Sequence, residues 1–145
     1  MNYGIHSAIE EDKGSLAELR ISAMKESLEN IGRYDPIRAR NRFLKTFCCK
    51  DTKKILIDGE VVGFYVVKNN EDHIYLDHLY FVPKYQDSGL GGSIIASIKS
   101  YAKLKSQPIR LGALRMSRSN DFYIKHGFSY THEEEWDIYY EFTHR

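Results

Sequence analysis

A chain of 145 residues, 42% hydrophobic and 28% charged, is long enough for one domain with a real core. Lys and Arg number 21 against 20 Asp and Glu, so the formal net charge of +1 leaves no electrostatic footprint for nucleic acid or a membrane surface. Neither a basic-then-apolar leader nor an apolar run of transmembrane length is visible, and the two adjacent cysteines, Cys48 and Cys49, cannot build a disulfide framework or a zinc site. They are expected to pack as small apolar residues, and a cytoplasmic location follows by default.

In chain order, Tyr3 to Ile9 reads as a first strand. Asp12 is a good N-cap, and a helix is predicted from there to about Asn30. Its apolar stripe is Leu16, Leu19, Ala23, Met24, Leu28 and Ile31, and Arg20 falls inside that stripe. Asp35-Pro36 restarts the chain, with aspartate at the cap and proline at the first helical position. This second helix is predicted to run to about Cys48, with Ile37, Phe43, Leu44, Phe47 and Cys48 on one face. Arg40 sits near the centre of that face, while Arg38, Arg42 and Lys45 point away. Two helices thus each place one arginine where an apolar residue is wanted. Such a residue either snorkels or pairs with an acid, or it lines a cleft and holds an anionic group.

Lys53 to Ile57, Asp58-Gly59 and Val61 to Val67 give a hairpin signal. Asn69-Asn70 makes the next turn, and His73 to Val82 is the next strand, so an antiparallel meander is expected. After a polar loop the chain carries Gly89, Gly91 and Gly92, then a helix with Ile94, Ile95, Ile98, Tyr101 and Ala102 on one face. Lys99 and Lys103 lie on the other, and the helix should end near Ser106, ahead of Pro108. Ile109 to Leu114 is a short strand, expected parallel to the one ending at Pro83. A helix from Ser117 to His126 closes on Gly127. Phe128 to Thr131 and Trp136 to Phe142 are terminal strands, the second alternating Trp136, Ile138, Tyr140 and Phe142 on one face. Glu133 to Glu135 reads as a solvated turn. Eleven tyrosines fit strand-rich architecture. The whole chain reads as one domain, 1–145, with no linker or repeat.

The stretch Leu79-Tyr80-Phe81-Val82-Pro83-Lys84-Tyr85-Gln86-Asp87-Ser88-Gly89-Leu90-Gly91-Gly92 organises the rest. A strand, a glycine-rich turn and a helix N-terminus make an anion site, because first-turn amides and the helix dipole both favour negative charge. A P-loop is excluded, since no lysine follows the glycines. A dinucleotide fingerprint fails as well: Ile94 stands at the third glycine position, and the strand stops at Pro83, six residues before Gly89. What fits is Gln86-x-x-Gly89-x-Gly91 after a strand ending Leu79-Tyr80-Phe81-Val82-Pro83. Here the chain resembles the GNAT acetyltransferases, whose pyrophosphate loop reads Gln/Arg-x-x-Gly-x-Gly/Ala. Phe122-Tyr123-Ile124-Lys125-His126-Gly127-Phe128 resembles a second motif of that family, Phe-Tyr-x-x-x-Gly-Phe, in the expected order.

The resemblance implies an α/β fold with a mixed, mostly antiparallel sheet of six or seven strands flanked by about four helices. It implies acetyl-CoA-dependent N-acetyl transfer, with acetyl-CoA as co-substrate. Backbone at Leu79, Tyr80 and Phe81 would hold the pantetheine arm, and Gln86, Asp87, Ser88, Gly89, Leu90, Gly91 and Gly92 the pyrophosphate. Tyr123 would protonate the departing thiolate, a role suited to a phenol that stays protonated at neutral pH. Where the family often has a cofactor-contacting asparagine, this chain has Met116 and Ser117, with Asn120 nearby as a substitute. Asp77 matches a position that carries the general base in some relatives, and His78 has the better solution pKa for the work. Arg20 and Arg40 would bind an anionic group of the acceptor, and Asp137 would orient its amine. The partner is a small-molecule or peptide amine. No nucleic acid, membrane or metal is implied, and a homodimer through the terminal strands is compatible with the family. A catalytically inactive CoA-binding module on the same fold is the competing reading, supported by Ser117 in place of asparagine.

Overall fold

The computed structural model describes residues 2–144. In chain order it contains β1 (Gly4–Ser7), a 3-10 turn (Glu10–Asp12), α1 (Lys13–Asn30), α2 (Pro36–Thr46), a 3-10 turn (Cys49–Asp51), β2 (Thr52–Ile57) and β3 (Glu60–Asn69). Then come β4 (Ile74–Phe81), a 3-10 turn (Pro83–Tyr85), α3 (Leu90–Leu104), β5 (Ile109–Leu114), α4 (Ser119–Lys125), β6 (Ser129–Glu133) and β7 (Asp137–Phe142). The strands form a seven-stranded mixed sheet in the order β1-β2-β3-β4-β5-β7-β6, as the expected fold class requires. Two compact units share the chain. One is built from the chain up to Val66 with His78–Gln86, the other from Val67–Asp77 with the chain from Asp87 onward.

In the first unit, Asp58 (φ +50°) and Gly59 (φ +80°) take the left-handed conformations of a two-residue hairpin, as Asp-Gly predicts. The core gathers Ala8, Leu16, Ala17, Leu19, Phe43, Phe64 and Val66, with Leu44, Phe47, Tyr80 and Val82 packed against it. The Asp35 carboxylate accepts the Arg38 amide at 3.1 Å and Pro36 opens α2, so the restart signal is realised. Two expectations for α2 are corrected. Ile37 is 67% exposed and lines an open basic groove with Asp35, Arg38, Asn41, Arg42 and Lys45. Cys48 is exposed because α2 stops at Thr46 and a 3-10 turn carries the cysteines off the helical face. The fully buried Thr52 hydroxyl then donates to the Cys48 carbonyl at 2.8 Å. Asp12 stands at the start of α1, but its carboxylate accepts the Ile9 amide at 2.9 Å and meets Lys54 at 3.0 Å. The intervening 3-10 turn redirects the cap.

In the second unit, β4 and β5 run parallel, pairing Ile74 with Ile109, Tyr75 with Arg110 and Leu76 with Leu111. α3 connects them and begins inside the glycine run. Leu90, Ile94, Ile95, Ile98 and Ala102 are its buried positions. Tyr101 is not among them: it is 40% exposed and its hydroxyl donates to Asn69 at 2.8 Å. Lys99 is not a solvated lysine either. Its ammonium donates to the His126 carbonyl and lies 4.2 Å from the Phe142 ring centre, and desolvation lowers its pKa. α4 is shorter at both ends than the pattern suggested, and Gly127 follows it at φ +90°. β7 pairs antiparallel with β5 and β6. A register shift interrupts the β6 ladder between Tyr130 and His132, and every residue of β6 is exposed.

Gly63 allows the close approach of β3 and β4 in the first unit. A Cβ there would lie 2.6 Å from the Tyr80 carbonyl oxygen and 2.7 Å from Phe81 Cδ1. Gly63→Ala is expected to destabilise by about 1–3 kcal/mol, seen as a lower urea midpoint. The Ile9 amide, with Lys54 adding to it, holds the Asp12 carboxyl below its usual range. Its stabilising contribution is complete above the unfolded value of about 4 and is lost as pH falls through the lowered folded value. Asp12→Asn should therefore lower stability at neutral pH and flatten its decline below about pH 4 in urea titrations.

Candidate functional site

The two halves of the organising stretch fall in different units, and each has its own geometry. In the first unit, β4 delivers His78, Leu79, Tyr80 and Phe81 to a strand end closed by the Pro83–Tyr85 turn. The Gln86 side-chain amide donates back to the Phe81 carbonyl at 3.1 Å, which ties the exit of the loop to the strand. Alternation puts His78 on the core side. Its ring packs edge-on against Phe43 at 5.6 Å and lies 6.3 Å from Phe64, with Nδ1 3.3 Å from the Tyr80 hydroxyl.

Arg20 and Arg40 also lie in the first unit. Arg40 Nε donates to Glu18 at 2.5 Å, and the pair is largely exposed. Arg20 reaches the Ala39 carbonyl at 3.4 Å through Nη1, while its Nε is buried without a hydrogen-bond partner.

In the second unit, Asp87 (φ +61°) and Gly89 (φ +89°) turn the loop into α3. Left-handed conformations suit glycine and are tolerated by aspartate. Gly89 is the N-cap residue and provides no side-chain cap. The Ser93 amide bonds back to the Gly89 carbonyl at 3.3 Å, so the amides of Leu90, Gly91 and Gly92 precede the first intrahelical bond. The Leu90 amide reaches Ser88 Oγ at 3.4 Å. Gly91 and Gly92 are helical. At Gly92 a Cβ would lie 3.0 Å from the His126 ring, close enough that the ring would have to give way. The loop is neutral except at Asp87, whose carboxylate oxygens receive Arg118 Nη2 at 2.8 and 2.6 Å. Sequence reasoning missed Arg118. Its signal in the sequence was a cation shortly before the second motif.

The turn before α4 is braced by the two residues suggested for cofactor contact. The Ser117 and Ser119 hydroxyls are 2.7 Å apart, and Asn120 Nδ2 donates to the Leu114 and Ser117 carbonyls, each at 2.9 Å. Asn120 Oδ1 in turn accepts the Tyr140 hydroxyl at 2.8 Å. One turn on, Tyr123 is buried, its ring 5.2 Å from Phe122 and 5.6 Å from Phe128. Asp77 lies 2.9 Å from Lys68, a partner not anticipated. Tyr75, on the same face of β4, has its pKa pushed up to about 12 by burial first and by the Asp77 charge second. Asp137 opens β7 opposite Leu114. Among the described residues no three or more His, Cys, Asp or Glu side chains cluster as a metal site, and no helix is long and apolar enough to cross a membrane.

A family model described as an acetyltransferase (GNAT) domain matches residues 46–130. No curated protein sequence matches significantly. Among solved structures, the PaiA N-acetyltransferase from Thermoplasma acidophilum, in complex with coenzyme A, has a TM-score of 0.86 at 21% identity, covering 99% of this chain and 100% of its own. PH1933 from Pyrococcus horikoshii OT3 has a TM-score of 0.77 at 16% identity, covering 99% of each chain. Apo YjaB from Escherichia coli has a TM-score of 0.79 at 13% identity, covering 100% of each. These likenesses establish the fold, and the family model, which spans both motifs and more than half of the sequence, establishes the kinship: this chain belongs to the acetyltransferase (GNAT) domain family.

Proposed function

We propose that this acyltransferase moves the acetyl group of acetyl-CoA directly to a primary amine of a small-molecule or peptide acceptor, and that its two units serve as one catalytic domain. The observation that carries this reading is the start of α3. Gln86-x-x-Gly89-x-Gly91 leads into a helix whose N-cap residue, Gly89, has no side chain to occupy the first-turn amides, which suits a pyrophosphate. The structurally similar PaiA N-acetyltransferase was crystallised with coenzyme A. The unpaired cysteines suit the reducing cytoplasm.

In this reading the loop from Gln86 to Gly92 holds the pyrophosphate. Backbone amides at Leu79 to Phe81 hold the pantetheine arm and polarise the thioester carbonyl. Ser117 and Asn120 serve the donor side through the turn they brace. The neutral amine attacks the carbonyl carbon, a C–N bond forms and the C–S bond breaks; Tyr123 gives its proton to the departing sulfur, and the proton shed by the acylated nitrogen restores the phenol through solvent. The base that removes the ammonium proton is drawn from Asp77 and His78. Imidazole is the side chain best suited in solution to proton transfer near neutral pH, which favours His78, while Asp77 acts beside the Lys68 charge. Arg20 and Arg40 take an anionic group of the acceptor, with the buried Arg20 Nε as the donor in need of a partner. Asp137 orients the amine.

Titration calorimetry with acetyl-CoA, with ATP and NAD as controls, should show saturable binding near one per chain for acetyl-CoA alone. Gly89→Val, which forces a β-branched residue to φ +89°, should abolish it. Absence of acetyl-CoA and CoA binding by folded protein sinks the reading. Tyr123→Phe should lower kcat by about 100-fold in a thiol-release assay, with the acetyl-CoA Kd within about twofold. Arg40→Ala should raise KM for the acceptor and leave acetyl-CoA binding alone. Tight donor binding with no turnover on a broad amine panel would mark a CoA-binding module instead.

A further inference from the structure

The transfer chemistry leaves one feature of the loop without a task. Asp87 puts a full negative charge into a segment whose other side chains from Gln86 to Gly92 are neutral, and which has to admit a pyrophosphate. Like charges repel, even where solvent weakens the effect. The backbone does not demand the carboxylate, because asparagine and glycine adopt φ +61° as readily. What the carboxylate does is receive Arg118, at 2.8 and 2.6 Å from one guanidinium nitrogen.

That pair spans 31 residues of sequence and joins the loop to the residue preceding α4. Both side chains are mostly exposed, at 74% for Arg118 and 70% for Asp87, so the ion pair is screened and readily exchanged. A phosphate offers the guanidinium more oxygens and more charge than a carboxylate does. We propose that Arg118 is a donor-binding residue for the phosphates of CoA, held at the loop by Asp87 until a phosphate oxygen takes the place of the carboxylate. This inference rests on the acetyl-CoA reading above. One ion pair is broken as another forms, so Asp87 limits donor affinity and favours release of the CoA product. The bond order of every group is unchanged; only partners are exchanged.

The test is calorimetry of the full chain with CoA at low and at moderate salt, on the wild type, Asp87→Asn, Arg118→Gln, Arg118→Lys and the double variant Asp87→Asn/Arg118→Gln, each checked for folding by circular dichroism. Arg118→Gln should weaken CoA by about tenfold and reduce the salt dependence of binding. Arg118→Lys, which keeps the charge as a point cation, should fall between. Asp87→Asn should tighten CoA by about threefold, and that gain should disappear in the double variant, because both effects run through one contact. Opposite signs for the two single substitutions support the exchange. If both weaken CoA, the pair is a brace for the loop and the proposal fails. If Arg118→Gln leaves the Kd within about twofold, Arg118 does not bind the donor and it fails as well. A wild type that binds no CoA overturns the acetyl-CoA reading before any variant is compared, and this inference with it.

Discussion

The start of α3 is a helix end without a side-chain cap, and the second unit is arranged to hold it in place. Gly89 offers no side-chain bond and Ser88 Oγ reaches the Leu90 amide only at 3.4 Å, so the helix is positioned mainly by packing and by its far end. Leu90, Ile94, Ile95, Ile98 and Ala102 bury one face. Tyr101 and Lys105 both reach Asn69, and Gln107 donates to the carbonyls of Asn70 and Glu71, which ties the C-terminal end to the turn before β4. At the other side Lys99 donates to the carbonyl of His126, just after α4, and the His126 ring occupies the space that a side chain at Gly92 would need. A cation at the C-terminal end of a helix also interacts favourably with its dipole. The motif tyrosine and the glycine loop are thus parts of one packed assembly within that unit.

Adjacent residues on β4 show how a strand separates chemistries. His78 turns into an aromatic group with Phe43, Phe64 and Tyr80. Asp77, one residue earlier, faces the other way and meets Lys68. Tyr75 shares that second face, and its raised pKa keeps the phenol protonated, hence a hydrogen-bond donor, at any physiological pH. Period-two alternation turns the two candidate bases to opposite faces of the strand and so gives them different surroundings.

Elements whose conformation is written in their own residues were legible in the sequence. Asp35-Pro36 starts α2 and Asp58-Gly59 turns the hairpin because capping and left-handed φ are local properties. The buried stripe of α3 follows from apolar spacing in the same way. What was not legible depends on partners far along the chain. Lys99 looked solvated because the His126 carbonyl that receives it is 27 residues away. Ile37 and Cys48 looked buried because periodicity says nothing of where a helix stops or which stretch of it is covered. The order of the site motifs was readable, whereas the ion pairs of Asp77 with Lys68 and of Asp87 with Arg118 were not, since charge alone does not name its counter-ion.

The sheet ends on β1 at one side and β6 at the other, and each edge is a row of backbone groups able to recruit a foreign strand. β1 is only four residues long, which offers little to pair with. β6 is fully exposed and carries Tyr130, so it is the more dangerous of the two. Its register shift between Tyr130 and His132 breaks the regular spacing of donors and acceptors, and Glu133 adds charge at its end. An incoming strand would find its ladder out of step after two residues. An edge interrupted in this way is a poorer template for a foreign strand than a regular one, and the interruption lies outside the core.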